Sequence, residues 1–123
     1  MIRSAELITG HVDDIAALSL RRGMSVEEYY QIADRTLTSL AGDTIVLVDL
    51  YGGTPSNVAM MLNRKYPNMH IICGFNLPTL INLILTRDSG NKTTDEIYNY
   101  VFEEALKSII KPEIKCTDTS DNF

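Results

Sequence analysis

The stretch IVLVDLYGGTPSN, residues 45–57, holds the residues of this sequence that are best suited to chemistry. A β-branched, apolar run ends on Asp49, and two glycines, Thr54 and Pro55 follow. Such a run is typical of a parallel strand that is covered on both faces. Thr54 as the N-cap and Pro55 at the first helical position predict that a helix begins directly after the glycines. Asp49 is therefore expected at the carboxyl end of a strand, where open α/β sheets bind their ligands.

The glycines and the predicted helix start favour a phosphoryl group or another anion as the ligand. Gly52 and Gly53 permit a sharp turn and a close approach of the backbone to a ligand. The first N–H groups of a helix have no partner within the helix and lie at the positive end of its dipole. The Thr54 hydroxyl is suited either to cap the helix or to donate a hydrogen bond to an oxyanion.

Asp49 needs a separate explanation, because its negative charge would repel a phosphate. A carboxylate that binds one imidazole nitrogen fixes the tautomer and leaves the other nitrogen free to attack. The motif therefore predicts a histidine partner for Asp49. From the residues alone, an ordinary strand-to-helix turn with a capping threonine is an equal alternative, since neither a P-loop lysine nor a G-x-G-x-x-G spacing is present.

Length and charge restrict the class of protein. The 123 residues suffice for one domain with one core, and no linker or repeat interrupts them, so a single domain over residues 1–123 is expected. A net charge of −5 argues against binding to nucleic acid or directly to an anionic membrane. We see no signal peptide and no transmembrane run, and Cys73 and Cys116 are expected to be reduced thiols of a cytoplasmic protein. The sequence predicts no cofactor and no metal site.

Helical and strand patterns alternate along the chain. Helices are predicted over residues 1–10, 25–40, 54–66, 76–87 and 92–110, and strands over residues 15–20, 44–50, 70–74 and, as a short last strand, 113–116. Four methionines are expected to fill the core, namely Met24, Met60, Met61 and Met69. Residues 117–123 are expected to be a flexible tail. This order predicts an α/β fold with an open, mostly parallel, doubly wound sheet and helices on both faces.

Two segments together resemble a known family. LVDLYGGTPSNVA and IICGFNLPTLINLI are similar to the enzyme IIA component of the mannose family of bacterial sugar phosphotransferase systems (PTS EIIA, mannose/fructose/sorbose type). That family carries an aspartate after a strand, then Gly-Gly-Ser/Thr-Pro-x-Asn, and later Gly-x-Asn-x-Pro before a helix. Here these are Asp49, residues 52–57 and residues 74–78, and the resemblance covers residues 2–110.

The resemblance implies a phosphocarrier. In the family, a histidine takes a phosphoryl group from the histidine phosphocarrier protein and passes it to a IIB component. The resemblance gives Asp49 the role of orienting that histidine and Thr54 a contact with the phosphoryl oxygens. The remaining residues that it assigns to phosphoryl binding are Gly52, Gly53, Pro55, Ser56 and Asn57. It also implies a homodimer with a short last strand that crosses the interface, and only an indirect connection to the membrane components IIC and IID.

The sequence departs from the family at its start. Relatives begin with a central strand that ends in Ser/Thr-His-Gly, and that histidine is the one phosphorylated, whereas Met1 aligns inside the first helix. We therefore expect an N-terminally truncated chain that is inactive alone, with a gap or a re-paired sheet between residues 15–20 and residues 44–50. Two histidines remain, His11 and His70. Both are expected to lie away from Asp49. His11 is expected to be a surface loop residue, and a role as substitute phosphoacceptor is the less favoured alternative for it.

Two other interpretations remain open from the sequence. One is a non-catalytic anion-binding or regulatory domain derived from the same family, and the other is an unrelated flavodoxin-like binding module. Tyr51, beside the glycines, is equally well explained as a partner contact and as a half-buried turn residue. The sequence does not identify the sugar.

Overall fold

The computed structural model describes residues 1–40 and 42–114 of the chain, which form an α/β fold with five helices and two strands. The elements are α1 (Ile2–Thr9), α2 (Val26–Leu40), β1 (Thr44–Val48), α3 (Thr54–Lys65), β2 (Met69–Cys73), α4 (Leu77–Asp88) and α5 (Thr94–Leu106). Strands β1 and β2 are parallel, with Thr44 opposite Met69 and Val48 opposite Cys73. The fold class expected from the alternating pattern is thus confirmed.

Helices cover both faces of this small sheet. On one face, Val48 and Met69 pack in a cluster with Tyr29 of α2 and Leu62 of α3. On the other face, Ile72 packs with α5, and Leu47 contacts the cluster that α1 and α4 form. The alternation of β1 side chains between two apolar layers explains why its sequence is almost continuously apolar. Among the described residues, no helix is both long enough and apolar enough to cross a membrane.

The prediction of a strand over residues 15–20 is wrong. These residues form no regular secondary structure, and β1 pairs with β2 alone among the described residues. A groove of ≈ 1440 Å³ lies between residues 14–20 and β1. An extended segment becomes a strand only when it pairs with a neighbouring strand through backbone hydrogen bonds. The groove separates residues 15–20 from β1, so this pairing does not form. Of the gap and the re-paired sheet that the sequence left open, the structure has the gap.

The C-terminal part of the chain shows smaller differences from expectation. Helix α5 ends at Leu106 rather than near residue 110, and Thr93 caps it by accepting a hydrogen bond from the Glu96 N–H at 3.2 Å. Glu113 and Ile114 are not in a strand, and the other half of the predicted strand 113–116 lies outside the described residues. The predicted tail 117–123 and Cys116 also lie outside them.

A polar cluster joins α2 to the end of α3. Asp34 accepts hydrogen bonds from the Tyr66 hydroxyl and from Lys65 Nζ, the latter at 2.9 Å. The Tyr66 hydroxyl also lies 3.0 Å from Thr38 Oγ1. These donors, Tyr66 first and Lys65 second, hold the pKa of the Asp34 carboxyl below its usual value. The cluster fixes α2 on the face of the sheet that carries α3.

Asp34→Asn is expected to lower the free energy of unfolding at neutral pH, and the deficit is expected to shrink as the pH falls. Because the folded-state pKa of Asp34 is lowered, its stabilisation is present above its unfolded pKa of about 4 and is lost as the pH falls through the folded value. Urea unfolding between pH 7 and pH 2 measures this difference. Asp43→Asn, at an exposed carboxylate, serves as the control. A deficit that is independent of pH would contradict the assignment.

Candidate functional site

The turn after β1 places Asp49 at the carboxyl end of the sheet, as the sequence predicted. Asp49 directly follows Val48, the last residue of β1, and is exposed. Gly52 has a φ of +89°, a left-handed conformation that side-chain-bearing residues rarely adopt. The Gly53 N–H donates to the Leu50 carbonyl at 3.4 Å, which closes the turn before α3. The chain therefore passes from the aspartate to the start of α3 within four residues.

The N-cap of α3 is Gly53, not Thr54, so the predicted helix start is shifted by one residue. Gly53 is extended, with φ −76° and ψ 171°, and its carbonyl accepts from the Asn57 N–H at 3.0 Å. The Asn57 side chain donates to the Gly52 carbonyl at 3.4 Å and holds the turn against the helix. Pro55 occupies the second helical position, where its missing N–H removes no helical hydrogen bond. Gly53 forms no side-chain cap, and Thr54 is the first residue of the helix.

The first turn of α3 offers an accessible N–H donor to an anion. Among the described residues, the backbone N–H groups of Thr54 and Ser56 have no hydrogen-bond partner. Such groups at a helix start bind phosphate and carboxylate oxygens. The Ser56 side chain does not join them, because it is fully buried with its Oγ 3.8 Å from Cys73 Sγ. Ser56 as a whole is buried, and its hydroxyl lies against the end of β2, so of these two N–H groups that of the half-buried Thr54 is the one accessible to an anion.

A second helix begins at the same edge of the sheet. Asn76 caps α4, and its side-chain oxygen accepts from the Thr79 N–H at 3.1 Å and from the Thr79 hydroxyl at 2.6 Å. Its side-chain nitrogen donates to Ser108 Oγ at 2.9 Å, which ties the start of α4 to the segment after α5. The Gly74 N–H donates to the Val48 carbonyl at 2.7 Å, one step beyond the paired strands. The two segments that carry the resemblance therefore meet at one edge.

Tyr29 of α2 packs in the core cluster that contains Val48, the residue before Asp49, and the sequence did not reveal this packing. It is buried, with a relative exposure of 6%. Burial raises the pKa of its hydroxyl, and the negative charge of Asp49 raises that pKa further. The helical pattern predicts only that Tyr29 or Tyr30 lies on the apolar face of α2. Its packing with Val48 depends on how α2 lies across the sheet, which no local pattern encodes.

His11 lies at the opposite end of the sheet from Asp49. Its side chain is 79% exposed, and its ring nitrogens lie 3.3 Å from Glu6 and 3.1 Å from Asp13. Three residues later, the Asp14 carbonyl accepts from Arg87 Nη1 at 3.3 Å. Arg87 is near the end of α4, and α4 begins at the carboxyl edge of the sheet, so its last turn lies at the other edge. The expectation that His11 is remote from Asp49 is consistent with this placement.

His70 is also remote from the candidate site. It is the second residue of β2, opposite Ile45, near the amino ends of both strands. Its Nε2 lies 3.1 Å from Asp95, and its ring stacks on Tyr98 with centroids 4.7 Å apart. The Tyr98 hydroxyl donates to the Ile71 carbonyl at 2.9 Å, so this histidine belongs to the packing of α5 on β2.

Comparisons with known proteins decide the family. The family model described as the PTS system fructose IIA component (EIIA-man) matches residues 1–102. This chain belongs to that IIA family. The match covers β1, the glycine turn, α3, β2 and α4, and therefore the whole candidate site. It excludes the interpretation as an unrelated flavodoxin-like module and confirms the resemblance found in the sequence.

Individual IIA proteins are similar over most of the chain. The PTS system mannose-specific EIIAB component of Escherichia coli K12 is 22% identical over 111 residues, which are 89% of this chain and 34% of that protein. The fructose-specific EIIA component of Bacillus subtilis 168 is 25% identical over 87 residues, 69% of this chain and 60% of its own length. The chain thus spans about a third of the first relative's length and under two thirds of the second's.

Two solved structures share the fold. The crystal structure of phosphotransferase system component EIIA from Streptococcus agalactiae superposes with a TM-score of 0.80 and 28% identity, over 89% of this chain and 84% of that one. The PTS IIA protein associated with the fucose utilization operon of Streptococcus pneumoniae superposes with a TM-score of 0.77 and 28% identity, over 89% of this chain and 80% of that one.

Proposed function

We propose that this chain is the phosphoryl-binding domain of a IIA component of a bacterial sugar phosphotransferase system, with the β1–α3 junction as its site. The supporting observation is that Asp49 and the unpartnered N–H group of Thr54 lie on either side of one glycine turn, within the region that matches the family. The Asp49 carboxylate followed by the anion-binding start of α3 suits a phosphohistidine, in which an imidazole ring carries a phosphoryl group. Gly52 and Gly53 form the turn that brings both parts close, and Pro55 and Asn57 lie in the first turn of α3 directly after it.

In the proposed reaction, a neutral imidazole bound at Asp49, which neither His11 nor His70 supplies, attacks the phosphorus of the phosphohistidine on the histidine phosphocarrier protein. The carrier's N–P bond breaks as the new N–P bond forms, and the carrier's imidazole leaves with the electron pair of its broken bond. Asp49 accepts the N–H of the attacking ring, which orients it and stabilises the positive charge that develops. The Thr54 hydroxyl and the accessible N–H group at the start of α3 donate to the phosphoryl oxygens. Positioning and electrostatics supply most of the catalysis in such transfers.

Two exposed apolar side chains flank the site and suit protein partners. Leu50 is 66% exposed and Tyr51 is 71% exposed, in the turn between Asp49 and Gly52. Aromatic residues beside a reaction centre are typical anchors of protein interfaces. Of the two explanations that the sequence left for Tyr51, its exposure favours the partner contact. We propose that the histidine phosphocarrier protein and a IIB component dock here in turn. The proposed location is the cytoplasm, and the membrane components IIC and IID are involved only indirectly. The IIA domain is proposed to be a homodimer.

The purified chain is expected to take up no phosphate by itself, because His11 and His70 both lie at the edge of the sheet away from Asp49. The test is incubation with phosphoenolpyruvate, enzyme I and the histidine phosphocarrier protein, followed by intact mass measurement at alkaline pH. Phosphorylated carrier protein in the same tube is the positive control. A phosphate that disappears in His11→Ala would contradict the proposed site and make His11 the acceptor.

A non-catalytic role in the same system is the second candidate, and the distance of both histidines from Asp49 favours it. A domain that kept the anion-binding turn would bind a phosphorylated partner without taking over its phosphoryl group. Calorimetric titration with a IIB component, with and without its phosphoryl group, separates the two functions. Tight binding that leaves the phosphoryl group on IIB supports the non-catalytic role. Loss of the phosphoryl group from IIB to solvent or to an added imidazole supports the transfer role.

A further inference from the structure

The loop between β2 and α4, residues 74–76, lies at the same edge of the sheet as Asp49 but has no part in the proposed phosphoryl contacts. The Gly74 N–H donates to the Val48 carbonyl at 2.7 Å, one step beyond the paired strands. Val48 is the last residue of β1 and directly precedes Asp49. The position of the aspartate therefore depends on what holds this loop against the end of β1.

Asn76 holds the loop through three hydrogen bonds of one side chain. Its oxygen accepts from the Thr79 N–H at 3.1 Å and from the Thr79 hydroxyl at 2.6 Å, while its nitrogen donates to Ser108 Oγ at 2.9 Å. A side-chain amide can make four such bonds, so this one is nearly saturated. Because the Thr79 N–H needs an acceptor, the amide oxygen lies on that side and the nitrogen on the side of Ser108.

The bond to Ser108 is a use of Asn76 that helix capping does not explain. Asparagine, aspartate and serine are about equally good N-caps. Aspartate has no N–H donor at neutral pH, and serine has a shorter side chain with a single polar atom. Of these three residue types, asparagine is the one that accepts from Thr79 and at the same time donates to Ser108.

Ser108 connects the loop to the end of α5. Its hydroxyl donates to the Ala105 carbonyl at 2.7 Å while it accepts from Asn76. Helix α5 starts near His70, at the amino edge of the sheet, and ends at the edge that carries Asp49. The last turn of α5 thus braces the loop from outside the sheet.

We propose that Asn76 is a positioning residue for Asp49, which acts through the bond from Gly74 to Val48 and is braced by Ser108. Loss of the brace leaves the cap of α4 in place, but it lets the loop and the end of β1 move. Asp49 then accepts the N–H of an imidazole less well, because its carboxylate is held less firmly. The placement of Asp49 is a property of the fold, whereas its use in phosphoryl transfer rests on the proposed function.

Hydrogen exchange of the Gly74 amide tests the placement without any ligand. Ser108→Ala removes the acceptor for Asn76, and it is expected to speed this exchange about 3- to 10-fold and to shift the amide resonance of Asp49. Ser108→Thr keeps the hydroxyl and is expected to restore slow exchange. The matched control is Ser89→Ala, because Ser89 also follows a helix and donates to the carbonyl three residues before it, at 2.6 Å, but at the other edge of the sheet.

An unchanged Gly74 amide in Ser108→Ala, or an equal change in Ser89→Ala, would overturn the proposal. A double variant adds a second condition. Asn76→Ser keeps an N-cap and loses the bond to Ser108, so it is expected to speed exchange as much as Ser108→Ala does. The two changes together are expected to have no more effect than either alone. Additive effects would show that the two residues act separately and would also overturn the proposal.

The rate of phosphoryl transfer to free imidazole tests what the placement is used for. At a temperature where all variants are folded, Ser108→Ala is expected to raise the imidazole concentration at half-maximal rate about 3- to 10-fold. A merely structural effect would lower the amount of folded protein, and hence the maximal rate alone. An unchanged half-maximal concentration would overturn the role of Asn76 in the reaction. If the unaltered chain transfers nothing to imidazole, the proposed function fails, while Gly74 exchange still decides whether Asn76 places Asp49.

Discussion

Free imidazole is expected to accept the phosphoryl group at the site of this chain, and Asp49→Asn is expected to slow that reaction about 10- to 100-fold. The reason is that the site has the acid, the hydroxyl and the helix start, while both histidines of the chain are remote from it. A small imidazole that binds at Asp49 would supply the ring that His11 and His70, at the other edge of the sheet, do not supply. Phosphorus NMR measures the initial rate at which phosphohistidine of the carrier protein decays and phosphoimidazole appears, over a series of imidazole concentrations.

Two controls make the imidazole experiment specific. Asp43→Asn removes an exposed carboxylate just before β1, at the other end of the strand, and is expected to leave the rate unchanged. The reaction of phosphorylated carrier protein with imidazole in the absence of this chain gives the background. A rate no higher than this background, or an equal loss in both variants, would contradict a transfer site at Asp49.

Leu62→Ala is expected to lower the free energy of unfolding by about 2–5 kcal/mol. Leu62 of α3 is 1% exposed and belongs to the cluster that joins α2, α3 and the sheet. Its loss removes buried methyl groups and leaves a cavity under the helix whose first turn forms the candidate site. Because whole domains are stable by only about 5–15 kcal/mol, this change takes a large share of the total. Urea unfolding followed by circular dichroism measures it.

Met61→Ala is the matched control for Leu62→Ala. Met61 is the preceding residue of α3 and is 52% exposed, so its truncation is expected to change the free energy of unfolding by no more than about 0.5 kcal/mol. A loss at Met61 as large as that at Leu62 would show that the core of the domain lies elsewhere than described.

Local patterns in the sequence were sufficient to predict the central part of the candidate site. The apolar run before Asp49, the glycine turn and the proline-containing helix start each act over a few residues, and the structure places them as predicted. The helix cap is one residue off because Gly53, with no side chain, is as suitable an N-cap as Thr54, and Pro55 is accommodated at either the first or the second helical position.

Features that depend on distant residues were not predictable from local patterns. Residues 15–20 have a strand-like composition, yet a strand also needs a neighbour, and the groove leaves them without one. Asp34 and Tyr66 are separated by 32 residues, and only the packing of α2 on α3 brings them together. Tyr29 packs with Val48 for the same reason.

The methionines show a different limit. Met69 is buried as expected and Met24 is partly buried against the same core cluster, whereas Met60 and Met61 are about half exposed on α3, so that part of the prediction was wrong. Their neighbours Val58, Ala59 and Leu62 already cover the inner face of the helix. Hydrophobic residue type alone therefore did not identify which side of α3 faces the core.

The measurement that most directly tests the proposed site is a nitrogen-15 NMR titration of the chain with the histidine phosphocarrier protein, once phosphorylated and once not. The phosphoryl group is expected to add shifts at the amides of Gly53, Thr54 and Ser56, beyond the changes at Leu50 and Tyr51 that docking alone produces. Asp49→Asn is expected to leave the docking shifts in place. Identical spectra with both forms of the carrier, or phosphoryl-dependent shifts confined to the His11 loop or to His70, would contradict a phosphoryl site at the β1–α3 junction.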